Sequence, residues 1–209
     1  IIASGQADVV EIARGLIADP DMPIKARTGR EKDIRQCLRC LYCFSHLVVN
    51  GRICCAVNPE IGCEHESKIP PLPHQNKNIL IAGGGIGGME AALEAAKLGH
   101  TVTLCEKKGE LGGTLRCERD VPFKVNLDKY LNQQQRLCME NPAIDVRLNT
   151  EVTPELAESL HPDVIIAATG ARPVVPPIPG IDGKNVQSAE DVYVNTDLAG
   201  KKVAILGGG

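Results

Sequence analysis

Aromatic side chains are scarce in this sequence: it has no Trp, two Phe and three Tyr in 209 residues. Any core must therefore be built from Ile, Val, Leu and Ala. An excess of positive charge is also missing. The formal net charge of -3 leaves no electrostatic footprint for a nucleic-acid partner. No uncharged apolar stretch reaches membrane-spanning length, so no membrane partner is expected, and no secretory leader is visible. Nine Cys without such a leader point to a reducing compartment, where thiols serve metal or cofactor binding rather than disulfides. A cytoplasmic location is expected. An initiator Met is lacking as well. The start at Ile1 reads as a helix tail and the end at Gly209 as half of a glycine turn, so both ends read as cut and a longer polypeptide is expected.

The cysteines are not scattered. Cys37, Cys40 and Cys43 stand two residues apart from one another, and the adjacent pair Cys54 and Cys55 follows after a short loop. Three thiolates packed so closely, with one distant partner, suit a [4Fe–4S] cubane, in which each sulfur reaches a different iron. Zinc is the competing reading, although its sites favour paired knuckles far apart. Unliganded thiols are the third. Spacing alone does not choose between Cys54 and Cys55. Cys63, Cys105, Cys117 and Cys138 read as buried apolar thiols, and Tyr42 and His46 as packing or solvent groups.

Around the cysteines the pattern divides the chain. Residues 1–30 read as a short buried strand over Asp8 to Ala13, a turn, and a brief helix stopping near Thr28-Gly29. Residues 31–75 hold the cysteines and a stiff linker, Ile69-Pro70-Pro71-Leu72-Pro73. Residues 76–200 alternate strand and helix: a strand over Asn78 to Ala82, a helix over Ile86 to Leu98, and a strand over Thr101 to Glu106. A helix follows near Phe123 to Cys138, then strands near Asp145 to Leu148 and, buried, over Asp163 to Ala168. Residues 201–209 read as the start of a further domain, in which Val203 to Gly209 repeats the strand-to-glycine motif of Ile79 to Gly85. Strands separated by helices predict an α/β fold with a doubly wound parallel sheet.

The glycines supply the chemistry of that sheet. Gly83, Gly85 and Gly88 follow a strand and open a helix, and Glu106 ends the next strand about 20 residues on, the fingerprint of a dinucleotide site. Gly83 would make the tight turn, Gly85 admit a pyrophosphate, Gly88 allow close packing, and Glu106 accept ribose hydroxyls. A second loop at Gly113 and Thr114, and a strand ending at Thr169 and Gly170, favour FAD over a nicotinamide here. Gly207 and Gly209 would open a separate NAD(P) site. A packing turn without ligand, and Glu106 as a plain surface carboxylate, are the plainer alternatives.

Together these residues resemble the iron–sulfur flavoenzymes related to 2,4-dienoyl-CoA reductase, enoate reductase and trimethylamine dehydrogenase. The resemblance implies the end of a TIM barrel holding FMN (residues 1–30), a [4Fe–4S] segment, a glutathione-reductase-like FAD domain and the start of an NAD(P) domain. Ala7 to Pro20 looks like the last barrel strand and its turn, which would put Arg14 on an FMN phosphate. The family often carries Gly where this chain has Ala13. Cys55-Ala56-Val57-Asn58-Pro59 looks like the cluster-closing motif, making Cys55 the implied fourth ligand. The implied activity is reduction of an activated C=C bond, with electrons passing from NAD(P)H through FAD and the cluster to FMN. A small-molecule or acyl-CoA substrate is implied, and no catalytic residue is assigned within this chain. An amine dehydrogenase passing electrons to a protein acceptor, and a non-catalytic electron-transfer module, are the other readings. The chain by itself is expected to be inactive.

Overall fold

The computed structural model describes residues 1–67, 75–194, 197–198 and 200–207. Its centre is a sheet of parallel strands β1 (Asn78–Ala82), β2 (Thr101–Cys105), β3 (Ile144–Arg147) and β4 (Val164–Ala167), in the order β3-β2-β1-β4. Register is set by apolar pairs, Ile79 opposite Val102 and Val164, and Ile81 opposite Leu104 and Ile166. β1 lies inside and reads as a continuous apolar run, as a parallel strand covered on both sides does.

Helix α5 (Ile86–Lys97) follows β1 directly. Its small residues Gly88, Ala92 and Ala95 are buried, so the helix lies close on the sheet. Gly99, at φ +89°, ends it in the left-handed conformation that glycine adopts without cost. Helix α6 (Val125–Glu140) packs beside it, and Met89, Leu131 and Cys138 close the core over Ile79, Ile81, Val102 and Leu104. Helix α7 (Pro154–Leu160) opens with Thr153 accepting from the Leu156 N–H and with Pro154 in its first turn. The sheet, α5 and α6 match the expected α/β class, with boundaries shifted by one or two residues, whereas α7 is an addition to the expected elements.

The N-terminal part carries short helices: α1 (Ala13–Ala18), α2 (Met22–Arg27), α3 (Tyr42–Asn50) and α4 (Glu64–Ser67). A last helix, α8 (Ala189–Val194), packs on the 3-10 turn over Gly113–Glu118. The brief helix ending at Thr28-Gly29 is found, with Thr28 as its cap. Three expectations fail. The strand over Asp8 to Ala13 is absent: residues 8–12 pair with no strand among the described residues, Val9 is 83% exposed, and Ala13 already opens α1. β4 is not buried: it is the sheet edge, its exposure alternates, and Ile165 is 55% exposed. Val203 to Gly207 is exposed and joins no sheet among the described residues, and Gly209 lies outside the described residues, as does the proline-rich linker.

Candidate cofactor site

β1 has neighbours on both sides that come from different directions along the chain, β2 next and β4 last. In open α/β sheets the carboxyl ends at such a switch point form the ligand crevice. The glycine turn lies there. Gly83 sits at φ +110°, and a Cβ on it would stand 2.3 Å from the Ala168 carbonyl oxygen at the end of β4. A Cβ on Gly88 would stand 1.9 Å from the Gly83 oxygen. Gly85 is different, since the nearest atom to its Cβ would be the Gly113 Cα at 4.0 Å. Two of the three glycines are thus demanded by packing, and the middle one leaves its face open. The first amides of α5 point out of this turn, where a helix N-terminus favours an anion.

Glu106 closes the turn from β2. It is 6% exposed, its Oε2 accepts the Gly84 N–H at 2.7 Å, and its Oε1 accepts the Lys108 N–H at 2.8 Å. Sequence reasoning expects this carboxylate to accept ribose hydroxyls or to be a plain surface group; in the fold it is buried and clamps the glycine turn. Each oxygen keeps a second lone pair for a further donor. The second loop is tied in as well: the Gly112 N–H donates to the Gly84 oxygen at 2.8 Å, and Gly85 and Gly112 form a parallel bridge. Gly113 follows at φ +62° with Thr114 exposed beside it, and Thr169 and Gly170 are exposed at the end of β4. The fold therefore brings Gly83, Gly85, Gly88, Glu106, Gly113, Thr114, Thr169 and Gly170 to one end of the sheet. Gly207, exposed at φ +92°, has no strand before it.

The thiols form a second feature. Cys37, Cys40, Cys43 and Cys55 line one hollow, together with Arg14, Ile17 and Val57, while Cys54 and Cys63 do not. Among the described residues no three Cys, His, Asp or Glu side chains are close enough to share one metal ion. Four thiols around one hollow, with no imidazole or carboxylate among its lining residues, are donors of the kind a cubane takes, as zinc also does. The Arg39 N–H donates to the Cys37 Sγ at 3.4 Å. Arg39 and Leu41, on either side of Cys40, both hold left-handed backbone at φ 61° and 58°. Arg14 is not at a strand end. It sits exposed in the first turn of α1, facing the hollow. Tyr42 and His46 pack against each other with tilted rings, centroids 5.5 Å apart, and Tyr42 is exposed.

Sequence reasoning missed the residues that anchor this hollow. Asp19 is buried, its Oδ2 accepting Lys25 Nζ at 2.7 Å and the Arg35 N–H at 2.9 Å. Arg35 in turn donates to the Val57 oxygen, and Asn58 Nδ2 to the Ile17 oxygen. Tyr130 of α6 is buried with Ala18 and Val57, and Cys37, Cys55 and Ile86 pack on that cluster. Ile86 is the first residue of α5, so one apolar knot joins the thiol hollow to the glycine turn. Burial pushes the Tyr130 hydroxyl and the Glu90 carboxyl up from their ordinary values, and the Cys138 thiol up to about 12. Cys138 is inert packing, as its apolar surroundings require.

Residues 77–209 match the family described as pyridine nucleotide-disulphide oxidoreductase. The NADH oxidase of Thermoanaerobacter brockii is 40% identical over all of this chain, which covers 33% of that protein. The cinnamate reductase of Clostridium sporogenes is 37% identical, again over the whole chain and 31% of its own length. A solved 2-naphthoyl-CoA reductase, 33% identical, superposes with a TM-score of 0.86 over 93% of this chain and 30% of its own. More distant, at 29%, is the dimethylamine dehydrogenase of Hyphomicrobium sp.. The chain thus spans about a third of the length of these relatives. Glycine turns, thiols and relatives agree: the chain belongs to the pyridine nucleotide-disulphide oxidoreductase family, in the group of iron–sulfur flavoenzymes that includes the enoate and dienoyl-CoA reductases and the trimethylamine dehydrogenase type.

Proposed function

We propose that this chain is the electron-entry part of an NAD(P)H-dependent flavin oxidoreductase that reduces an activated C=C bond of an enoate or unsaturated acyl-CoA. The carrying observation is the knot at Tyr130, which packs the hollow of Cys37, Cys40, Cys43 and Cys55 against the first residue of the glycine-turn helix. Bound there, a [4Fe–4S] cluster would supply one-electron transfer between FAD and FMN, while NAD(P)H supplies the hydride. In this reading Cys37, Cys40, Cys43 and Cys55 hold the metal. Gly83, Gly85, Gly88, Gly113 and Thr114 seat the FAD pyrophosphate. Glu106 orients the ribose, and Thr169 and Gly170 flank the flavin. Arg14 keeps positive charge beside the thiols and the FMN phosphate. Gly207 and Gly209 open the pyridine-nucleotide turn. The names of the cinnamate and 2-naphthoyl-CoA reductases support an unsaturated carboxylate or its CoA ester. An electron-transfer protein as partner belongs to the alternative reading, an amine dehydrogenase, which the dimethylamine dehydrogenase relative favours.

The whole polypeptide, assayed anaerobically, is expected to oxidise NADH or NADPH when cinnamate is added and to saturate the double bond. Turnover with dimethylamine and an electron-accepting dye, without use of cinnamate, would replace this reading by the alternative. Metal loading tests the site by itself. About four iron and four acid-labile sulfide per chain are expected after reconstitution, lost in Cys55→Ser and kept in Cys54→Ser. Stoichiometric zinc without sulfide would reduce the segment to a structural knuckle.

A further inference from the structure

We infer that Arg116 is a positioning residue for the nucleotide site, a bracket that sets the second glycine loop against the first. This deepens the flavin reading above and rests on it. The Arg116 side chain is only 9% exposed. Its Nε–H donates to the Leu111 oxygen at 2.8 Å, the carbonyl directly before Gly112-Gly113. One terminal nitrogen donates to Asp128 Oδ1 at 3.0 Å and to Asn132 Oδ1 at 2.6 Å, and the other to Gln135 Oε1 at 3.0 Å. Those three acceptors lie one helical turn apart along α6. The side chain also covers Gly112, where a Cβ would stand 2.5 Å from Nε. Gly112 is the residue whose N–H reaches the Gly84 oxygen. A continuous chain of contacts therefore runs from α6 through Arg116 and Gly112 to the turn that faces the pyrophosphate.

The geometry separates this role from direct phosphate binding. Asp128 offsets the positive charge at 3.0 Å, Glu110 lies 3.9 Å from Nε, and the Nε–H and both terminal nitrogens already have acceptors. What the site needs is the planar fork, which a lysine ammonium does not supply.

The test measures FAD dissociation from the reconstituted whole polypeptide by flavin fluorescence, at low and high salt. Arg116→Lys and Arg116→Ala are expected to weaken FAD by on the order of ten- to a hundredfold, as the loss of an outer partner of a binding group does. Their salt dependence should equal that of the wild type, because no phosphate contact is lost. Gln135→Ala, which leaves the buried arginine in place, should weaken FAD about tenfold on the same basis and serves if the arginine variants do not fold. Arg119→Ala, which removes an exposed ion pair with Glu110 on the same segment, should change nothing. Recovery of wild-type affinity in Arg116→Lys, or unchanged affinity in Arg116→Ala and Gln135→Ala, overturns the inference. A wild type that never retains FAD overturns the flavin reading first, and this inference with it.

Discussion

Single atoms decide what two neighbouring glycines tolerate. Gly88 faces the Gly83 oxygen at 1.9 Å from its hypothetical Cβ, whereas Gly87 has nothing within 4 Å. Gly88→Ala should destabilise the folded chain by about 3 kcal/mol or more, since backbone must move to admit the methyl. Gly87→Ala should be neutral or stabilise by about 0.5–1 kcal/mol through helix propensity. Urea titrations of both variants check the contrast. Glu90 gives a pH signature. Burial pushes its carboxyl above the ordinary 4.5, with Arg35 opposing and Glu94 adding to the rise. A raised carboxyl pKa favours folding only while the group is protonated, so that contribution is complete below 4.5 and is lost as pH climbs through the folded value. Glu90→Gln should therefore melt higher than wild type at about pH 8, the gain vanishing below about pH 4. Gly85, Gly88 and Glu106 were legible from sequence because their neighbours lie close along the chain, whereas the packing of Gly83 against Ala168 was not. Arg116 was not, since its partners lie 12, 16 and 19 residues away and only the docked α6 assembles them.

At the scale of elements, α6 holds the cysteine segment in place. Asn126 Nδ2 donates to the Cys37 oxygen at 2.9 Å, Gln133 to the Lys32 oxygen, and Arg136 to Asp33, while Tyr130 fills the space beneath. Tyr130→Ala should cost about 3–5 kcal/mol by leaving a cavity and should lower iron retention in the same preparation. Tyr130→Phe should keep both close to wild type, and melting curves with iron analysis distinguish the two. The α/β alternation announced α5 and α6 because their apolar spacing is local. What the polar face of α6 touches was hidden, because segments about 90 to 100 residues away meet it. The strand expected over Asp8 to Ala13 shows the opposite failure. Its β-branched run is real, but a strand needs a partner, and none stands beside it among the described residues.

Across the whole molecule, apolar exposure is uneven. Phe44 (64%), Val48 (68%) and Val49 (79%) stand out along α3, and Ile165 marks the uncovered face of β4. Exposed apolar groups in such a run favour association. The 209-residue chain alone should self-associate with rising concentration, and Phe44→Lys with Val49→Glu should suppress that in light scattering. The left-handed pair flanking Cys40 reaches further. Backbone of that kind costs about 1–2 kcal/mol per residue outside glycine, and on the cluster reading proposed above bonds from the intervening thiol to a metal would help to hold it in shape. Arg39 is exposed and is itself a cleavage point for trypsin. Stripping iron with a chelator should free this bond for rapid cutting, and reloading should protect it, with fragments sized on a gel. On the cluster reading proposed above, the exposed bond after Arg39 would then report from outside whether the thiol hollow is filled.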